Sequence, residues 1–150
     1  MMPSKAIILG ANRGVSRLDP TKSAPLSFEM IEGGTRRVLD WQLFELNKLG
    51  IKDVVYVGGY HIEKVVLKYP GLRFYFNSNW ENGSELDALF CARAELSQSC
   101  LILRSDILFR GEALKRLLSR RSPMTVGVDL RTFDPRARES DLLRIKQERV

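Results

Sequence analysis

The sequence is poor in the residues from which metal centres and covalent staples are built. It contains one histidine, His61, and two cysteines, Cys91 and Cys100, too few ligands for a structural zinc site. No export signal precedes the cysteines, so free thiols in a cytoplasmic protein are expected rather than a disulfide. No apolar run approaches the ~18 residues that a membrane-spanning helix needs, and no membrane partner is expected. The first apolar stretch, residues 6–9, follows Lys5 directly and carries no small-residue cleavage site, so it reads as a strand and not as a secretion signal. Internal repeats and low-complexity segments are also lacking.

What is present is an ordinary globular balance. The chain has 150 residues, 44% of them hydrophobic and 28% charged, which suits one domain with a buried core and excludes a disordered or fibrous chain. A net charge of +6 and a pI near 9.6 favour anionic partners such as nucleotides and phosphates. The basic residues are scattered, however. Lys115, Arg116, Arg120 and Arg121 fall on or beside a predicted helix, while Arg131, Arg136, Arg138, Arg144, Lys146 and Arg149 alternate with acids. This pattern favours a solvated basic surface over a nucleic-acid-binding face.

Apolar strands alternate with amphipathic helices. Strands are expected at residues 6–9, 54–57, 72–76, 101–103 and 124–128. Helices are expected at 37–49, from 62 to before Pro70, and at 86–96 and 112–118. The spacing of Val38, Leu39, Leu43, Leu46 and Leu49 sets the first helix, and Gly50 stops it. Strands alternating with helices imply an α/β fold around a parallel sheet with right-handed crossovers. The pattern covers residues 1–128. Residues 129–150 are charged, contain Pro135, and read as a C-terminal tail or the cut end of a larger domain, with Leu142, Leu143 and Ile145 able to form one helical turn.

Open parallel sheets bind ligands at the carboxyl ends of their strands. The loop after the first strand reads Gly10-Ala11-Asn12-Arg13-Gly14-Val15-Ser16-Arg17. Its glycines admit close backbone approach, its amides can cradle phosphate, and Arg13 and Arg17 add charge-assisted hydrogen bonds. Gly-Ala-Asn-Arg-Gly together with Tyr60 and Lys64 in a Tyr-x-x-x-Lys spacing looks like a short-chain dehydrogenase. That reading is weaker. Ser16 stands where a third glycine is needed, Pro20 and Pro25 forbid the long helix that should follow, and Tyr60 arrives only one strand–helix unit later.

The fuller resemblance is to the sugar-phosphate and choline-phosphate nucleotidyltransferases. It is carried by Ala6-Ile7-Ile8-Leu9-Gly10-Ala11, Gly14, Ser16-Arg17-Leu18, Pro20-Thr21, Pro25 and Val38-Leu39-Asp40-Trp41-Gln42-Leu43. It continues through Leu49-Gly50-Ile51-Lys52-Asp53-Val54 and Val57-Gly58-Gly59-Tyr60, then Phe76-Asn77-Ser78-Asn79-Trp80, Leu86-Asp87-Ala88-Leu89 and Ser105-Asp106-Ile107-Leu108-Phe109. The resemblance implies a three-layer α/β sandwich with a mainly parallel sheet, the Rossmann-like, glycosyltransferase-A-like fold. It implies transfer of an NMP, such as CMP, from a nucleoside triphosphate to a small phosphorylated acceptor such as phosphocholine, a phosphonate or a sugar phosphate, with release of pyrophosphate.

The resemblance assigns Asp106 to Mg2+, where a helix N-cap is the plainer alternative, and Arg17 to the triphosphate with Arg13 as auxiliary. Gly10, Ala11, Asn12 and Gly14 would let the backbone approach the nucleotide, with Ser84 and Glu85 nearby. Trp41 and Gln42 read as helix packing and helix surface, and Tyr60 as either a pocket wall or a packing residue. The chain departs from the family pattern at Leu26, which stands where a lysine normally follows the proline. Its glycine loop is also one residue longer than usual, and the family's second metal-binding acid has no counterpart within residues 1–128. Two expectations follow: an active transferase, alone or completed by a homo-oligomer or partner, and a catalytically silent nucleotide-binding or scaffolding module.

Overall fold

The computed structural model describes residues 3–11, 13, 24–120 and 122–127. Its elements run β1 (Lys5–Gly10), β2 (Met30–Ile31), β3 (Arg36–Arg37), α1 (Val38–Lys48), β4 (Asp53–Gly58), α2 (Ile62–Lys68), β5 (Arg73–Phe76), α3 (Glu85–Cys91), β6 (Cys100–Arg104) and α4 (Gly111–Leu118). Four strands form one parallel sheet in the order β5-β4-β1-β6. The register sets Gly10 beside Gly58 and Lys5 beside both Asp53 and Cys100, so strand ends align at both edges. Each parallel step needs a crossover, and the helices supply it.

The core splits into two layers because successive side chains of a strand point to opposite faces. Ala6 and Ile8 of β1 pack with Leu39 and Leu46 of α1, Val65 of α2 and Leu114 of α4. Ile7 packs on the other face with Val55, Val57, Ala88 and Ala92, beneath α3. This is the expected α/β sandwich, helices on both faces of a parallel sheet. From β1 the chain moves to β4 and β5 on one side, then returns to place β6 on the other. The carboxyl ends of β1 and β6 therefore flank the point where strand order reverses, the position at which open α/β sheets form a ligand crevice.

Three elements differ from the sequence reading. The expected helix over 86–96 ends as α-helix at Cys91, and a 3-10 turn, Arg93–Ser97, follows. In that turn Glu95 is buried and meets Lys5, Arg73 and Tyr75 at the amino-terminal edge of the sheet. Met30–Ile31 and Arg36–Arg37 form a small antiparallel pair too short for an alternating pattern to reveal, turned by Gly33 and Gly34 at φ 68° and 91°. Residues 124–127, expected as part of a fifth strand, have no regular structure, and Val128 and the expected tail 129–150 lie outside the described residues. Among the described residues no helix is long and apolar enough to cross a membrane.

Candidate active site

At the end of β1, next to the crevice, a tyrosine packs under a glycine. Tyr56 of β4 is fully buried; its Oη lies 3.3 Å from the Gly10 carbonyl as donor and 2.9 Å from Ser27 Oγ. A Cβ at position 10 would fall 2.1 Å from that Oη. Gly10 thus has a packing requirement of its own. Burial pushes the Tyr56 phenol up to about 12, the Ser27 hydrogen bond opposing in part, so it stays a neutral donor.

At the end of β1, Ala11 is held from the β4 side. The Tyr60 amide donates to the Ala11 carbonyl at 3.0 Å. Gly59 lets this approach occur, because a Cβ there would meet that carbonyl at 2.6 Å and Trp80 Cβ at 2.3 Å. The Tyr60 ring then packs on Trp80, centroids 5.2 Å apart, and the Arg13 guanidinium lies 5.4 Å from the Tyr60 ring centroid. Tyr60, left between pocket and packing by the sequence, braces the first loop. Asn12, Gly14 and Arg17 lie outside the described residues.

The β6 side is pinned by α1. Gln42, read from the sequence as helix surface, is fully buried, its amide nitrogen spent on main-chain carbonyls of the β6–α4 connection. Its Nε2 donates at 2.8 Å to the carbonyl of Arg104 and at 2.8 Å to that of Ile107, bracketing Asp106. Three residues on, Glu45 Oε2 accepts from the Gly111 amide at 2.6 Å, while Trp41 Nε1 donates to the Phe109 carbonyl at 2.6 Å. One face of one helix thereby fixes the whole connection from β6 to α4. The sequence held the signal only as a Trp-Gln pair at a helix start, which periodicity alone assigns to packing or surface.

Between the two halves lies a cleft whose walls include Ala11, Leu26, Glu85, Ala88, Ser105 and Asp106. Arg104 also faces it. The Arg104 guanidinium sits between two carboxylates: Nε is 3.1 Å from Asp106 Oδ1 and 3.0 Å from Glu85 Oε1, and Nη2 is 3.0 Å from Asp106 Oδ2. Ser84 caps α3 in a reciprocal box, Asp87 N donating to its Oγ at 3.2 Å and Ser84 N to Asp87 Oδ2 at 2.6 Å. Ser84 is exposed and occupied with capping, and its neighbour Glu85 is the residue that faces the cleft. Leu26 places an apolar side chain in the same wall.

Among the described residues no group of three or more His, Cys, Asp and Glu side chains is arranged around a metal. Magnesium nonetheless takes only one or two carboxylates when phosphate oxygens and water complete its shell. Glu85 and Asp106 direct hard oxygen donors at a single nitrogen of Arg104. The donor set fits magnesium that arrives with a nucleotide.

A CTP:phosphoglutamine cytidylyltransferase from Campylobacter jejuni is 29% identical to this chain over 134 residues, covering 83% of this chain and 52% of that protein. By sequence this chain is similar to a cytidylyltransferase, and by fold to nucleotidyltransferases. Among solved structures, a CTP:phosphocholine cytidylyltransferase from Streptococcus pneumoniae superposes with a TM-score of 0.62 at 24% identity, over 75% of this chain and 50% of that one. A nucleotidyl transferase from Methanothermobacter superposes with a TM-score of 0.58 at 17% identity, over 78% of this chain and 56% of that one. These two likenesses speak to the nucleotidyltransferase fold. No protein-family model matches the chain. The chain spans about half the length of the cytidylyltransferase it matches.

Proposed function

We propose that this chain binds CTP in the cleft between the ends of β1 and β6 and transfers CMP to a small phosphorylated acceptor, releasing pyrophosphate. The observation that carries the reading is the placement of Asp106: on the crevice at the strand-order reversal, in one cleft with Ala11 of the first loop, on a loop braced by Gln42. The relationship to a cytidylyltransferase supports cytidine as the base.

In the reaction, an oxygen of the acceptor phosphate attacks the α-phosphorus in line, and the bond to the pyrophosphate oxygen breaks. Charge develops on non-bridging oxygens, so positioning and cations do most of the catalytic work. Bound magnesium would supply Lewis-acid stabilisation of those oxygens and a template for the triphosphate. Asp106 and Glu85 would hold it. The first-loop backbone near Ala11, with Asn12, Gly14, Arg13 and Arg17, would cradle the phosphates.

A second reading, a nucleotide-binding module with little or no turnover, is favoured by one observation. Leu26 brings an alkyl side chain to the cleft wall, at the position to which the family resemblance assigns a lysine. Removing one preorganised charge or donor of that kind costs about 10²–10³ in rate while leaving binding largely intact. Pyrophosphate release with CTP, magnesium and a panel of phosphocholine, phosphonate and sugar-phosphate acceptors separates the readings. Acceptor-dependent release establishes the transferase. Saturable CTP binding without release establishes the module, and no CTP binding at all refutes both.

A further inference from the structure

Leu26 lines the cleft at the position to which the family resemblance assigns a lysine, yet a guanidinium is already in that wall. Among the described residues lining the cleft, Arg104 is the only cation. Two carboxylates, Glu85 and Asp106, hold it at 3.0–3.1 Å, with side chains 39% and 34% exposed and that of Arg104 43% exposed. Ion pairs so open to water are weak and readily exchanged. Among the described residues lining the cleft, two carboxylates against one guanidinium sum to a net negative charge, which disfavours a triphosphate. The backbone beneath is rigid, since Gln42 holds the Arg104 carbonyl, so any rearrangement belongs to the arginine side chain.

We propose that Arg104 is a phosphate-binding cation of this cleft, additional to the arginines of the first loop. Glu85 and Asp106 hold it in reserve, and it passes to the nucleotide when those carboxylates take up the accompanying magnesium. The proposal rests on the nucleotide-binding reading above. Its logic is electrostatic. Magnesium alone can balance the two carboxylates, which Arg104 alone does not; both together turn this cluster positive and free a planar, bidentate donor for phosphate oxygens. Metal and triphosphate binding are thereby coupled through one side chain, and the charge absent at position 26 is supplied from β6.

The test uses the full chain and two titrations, each on the parent, Arg104→Gln and Arg104→Lys, with melting curves to confirm folding. In the first, CTP is titrated with magnesium. The parent should bind, Arg104→Gln should bind at least tenfold more weakly, and Arg104→Lys should fall between. In the second, Mn2+ is titrated alone. Arg104→Gln should bind it at least threefold more tightly, because the carboxylates have lost their internal competitor; the CTP titration then separates phosphate binding from that charge effect. Equal CTP affinity in parent and Arg104→Gln, or unchanged Mn2+ affinity, overturns the proposal and leaves the nucleotide-binding reading standing. A parent that binds no CTP overturns both.

Discussion

Gln42 lies fully buried on α1 with its side-chain Nε2 2.8 Å from the main-chain carbonyl of Arg104, across 62 positions of sequence. That bond, and its twin to Ile107, ties the first helix to the loop that carries Asp106. Replacing Gln42 by methionine keeps the length and removes both donors, stranding two carbonyls. We expect a loss of about 1–3 kcal/mol, read as a fall in Tm. If the loop's placement matters for nucleotide binding, Kd for CTP with magnesium rises as well, measured well below the variant's Tm. A variant with parental Tm would show that the two bonds carry no net stability.

Gly10 and Tyr56 form a second coupled pair. Gly10→Ala inserts a Cβ 2.1 Å from Tyr56 Oη, an overpacking expected to cost about 1–3 kcal/mol. Tyr56→Phe removes the nearest obstructing atom and leaves ring carbon Cζ at 2.4 Å, so relief is partial and the double variant should be somewhat more stable than the sum of the single losses predicts. Denaturant melts of all four proteins give the interaction energy directly, and strict additivity would contradict the packing account.

The ion network at the opposite edge of the sheet sets acid sensitivity. The Arg73 guanidinium, then the Lys5 ammonium, hold the Glu95 carboxyl near about 2, below its ordinary 4.5. A carboxylate depressed in the folded state adds stability that is fully present above its ordinary value and is lost as pH falls toward the depressed one. Stability should therefore decline between pH 4.5 and about 2, and Glu95→Gln should flatten this limb while lowering stability at neutral pH. Melts across that range decide it; an unchanged acid slope in the variant would assign the decline to other groups.

Leu26→Lys places an ammonium on the cleft wall that Leu26 now lines. We expect pyrophosphate release to rise by tenfold or more, toward the 10²–10³ such a group commands, with a smaller change in CTP affinity. A brisk parental rate, unchanged by the substitution, would show that a lysine at position 26 is dispensable in this chain.

Much of this fold is legible in the sequence because its signals are local. The apolar runs through Ile7 and Val55, the helical spacing from Val38 to Leu46, and the alternation of the two types already dictate a parallel sheet with covering helices. The β2–β3 pair escaped because two-residue strands have no period to read. Glu95 escaped because its partners Lys5 and Arg73 come from distant positions. At the site, Asp106 was legible from its position after an apolar strand and from its family pattern, and Ala11 from its glycine-rich loop. Gln42 and Arg104 were not. A polar residue on a helix reads as solvent-facing until the backbone it reaches is known, and an arginine at a strand end reads as surface until its two carboxylates are seen to converge.

The central claim, that this cleft binds a cytidine nucleotide through Asp106, is tested most directly by calorimetric titration of CTP with magnesium into the parent chain and Asp106→Asn. The account predicts saturable binding by the parent and at least tenfold weaker binding by the variant, about 1.4 kcal/mol. Absence of binding by the parent, or equal affinity in the two proteins, would contradict it.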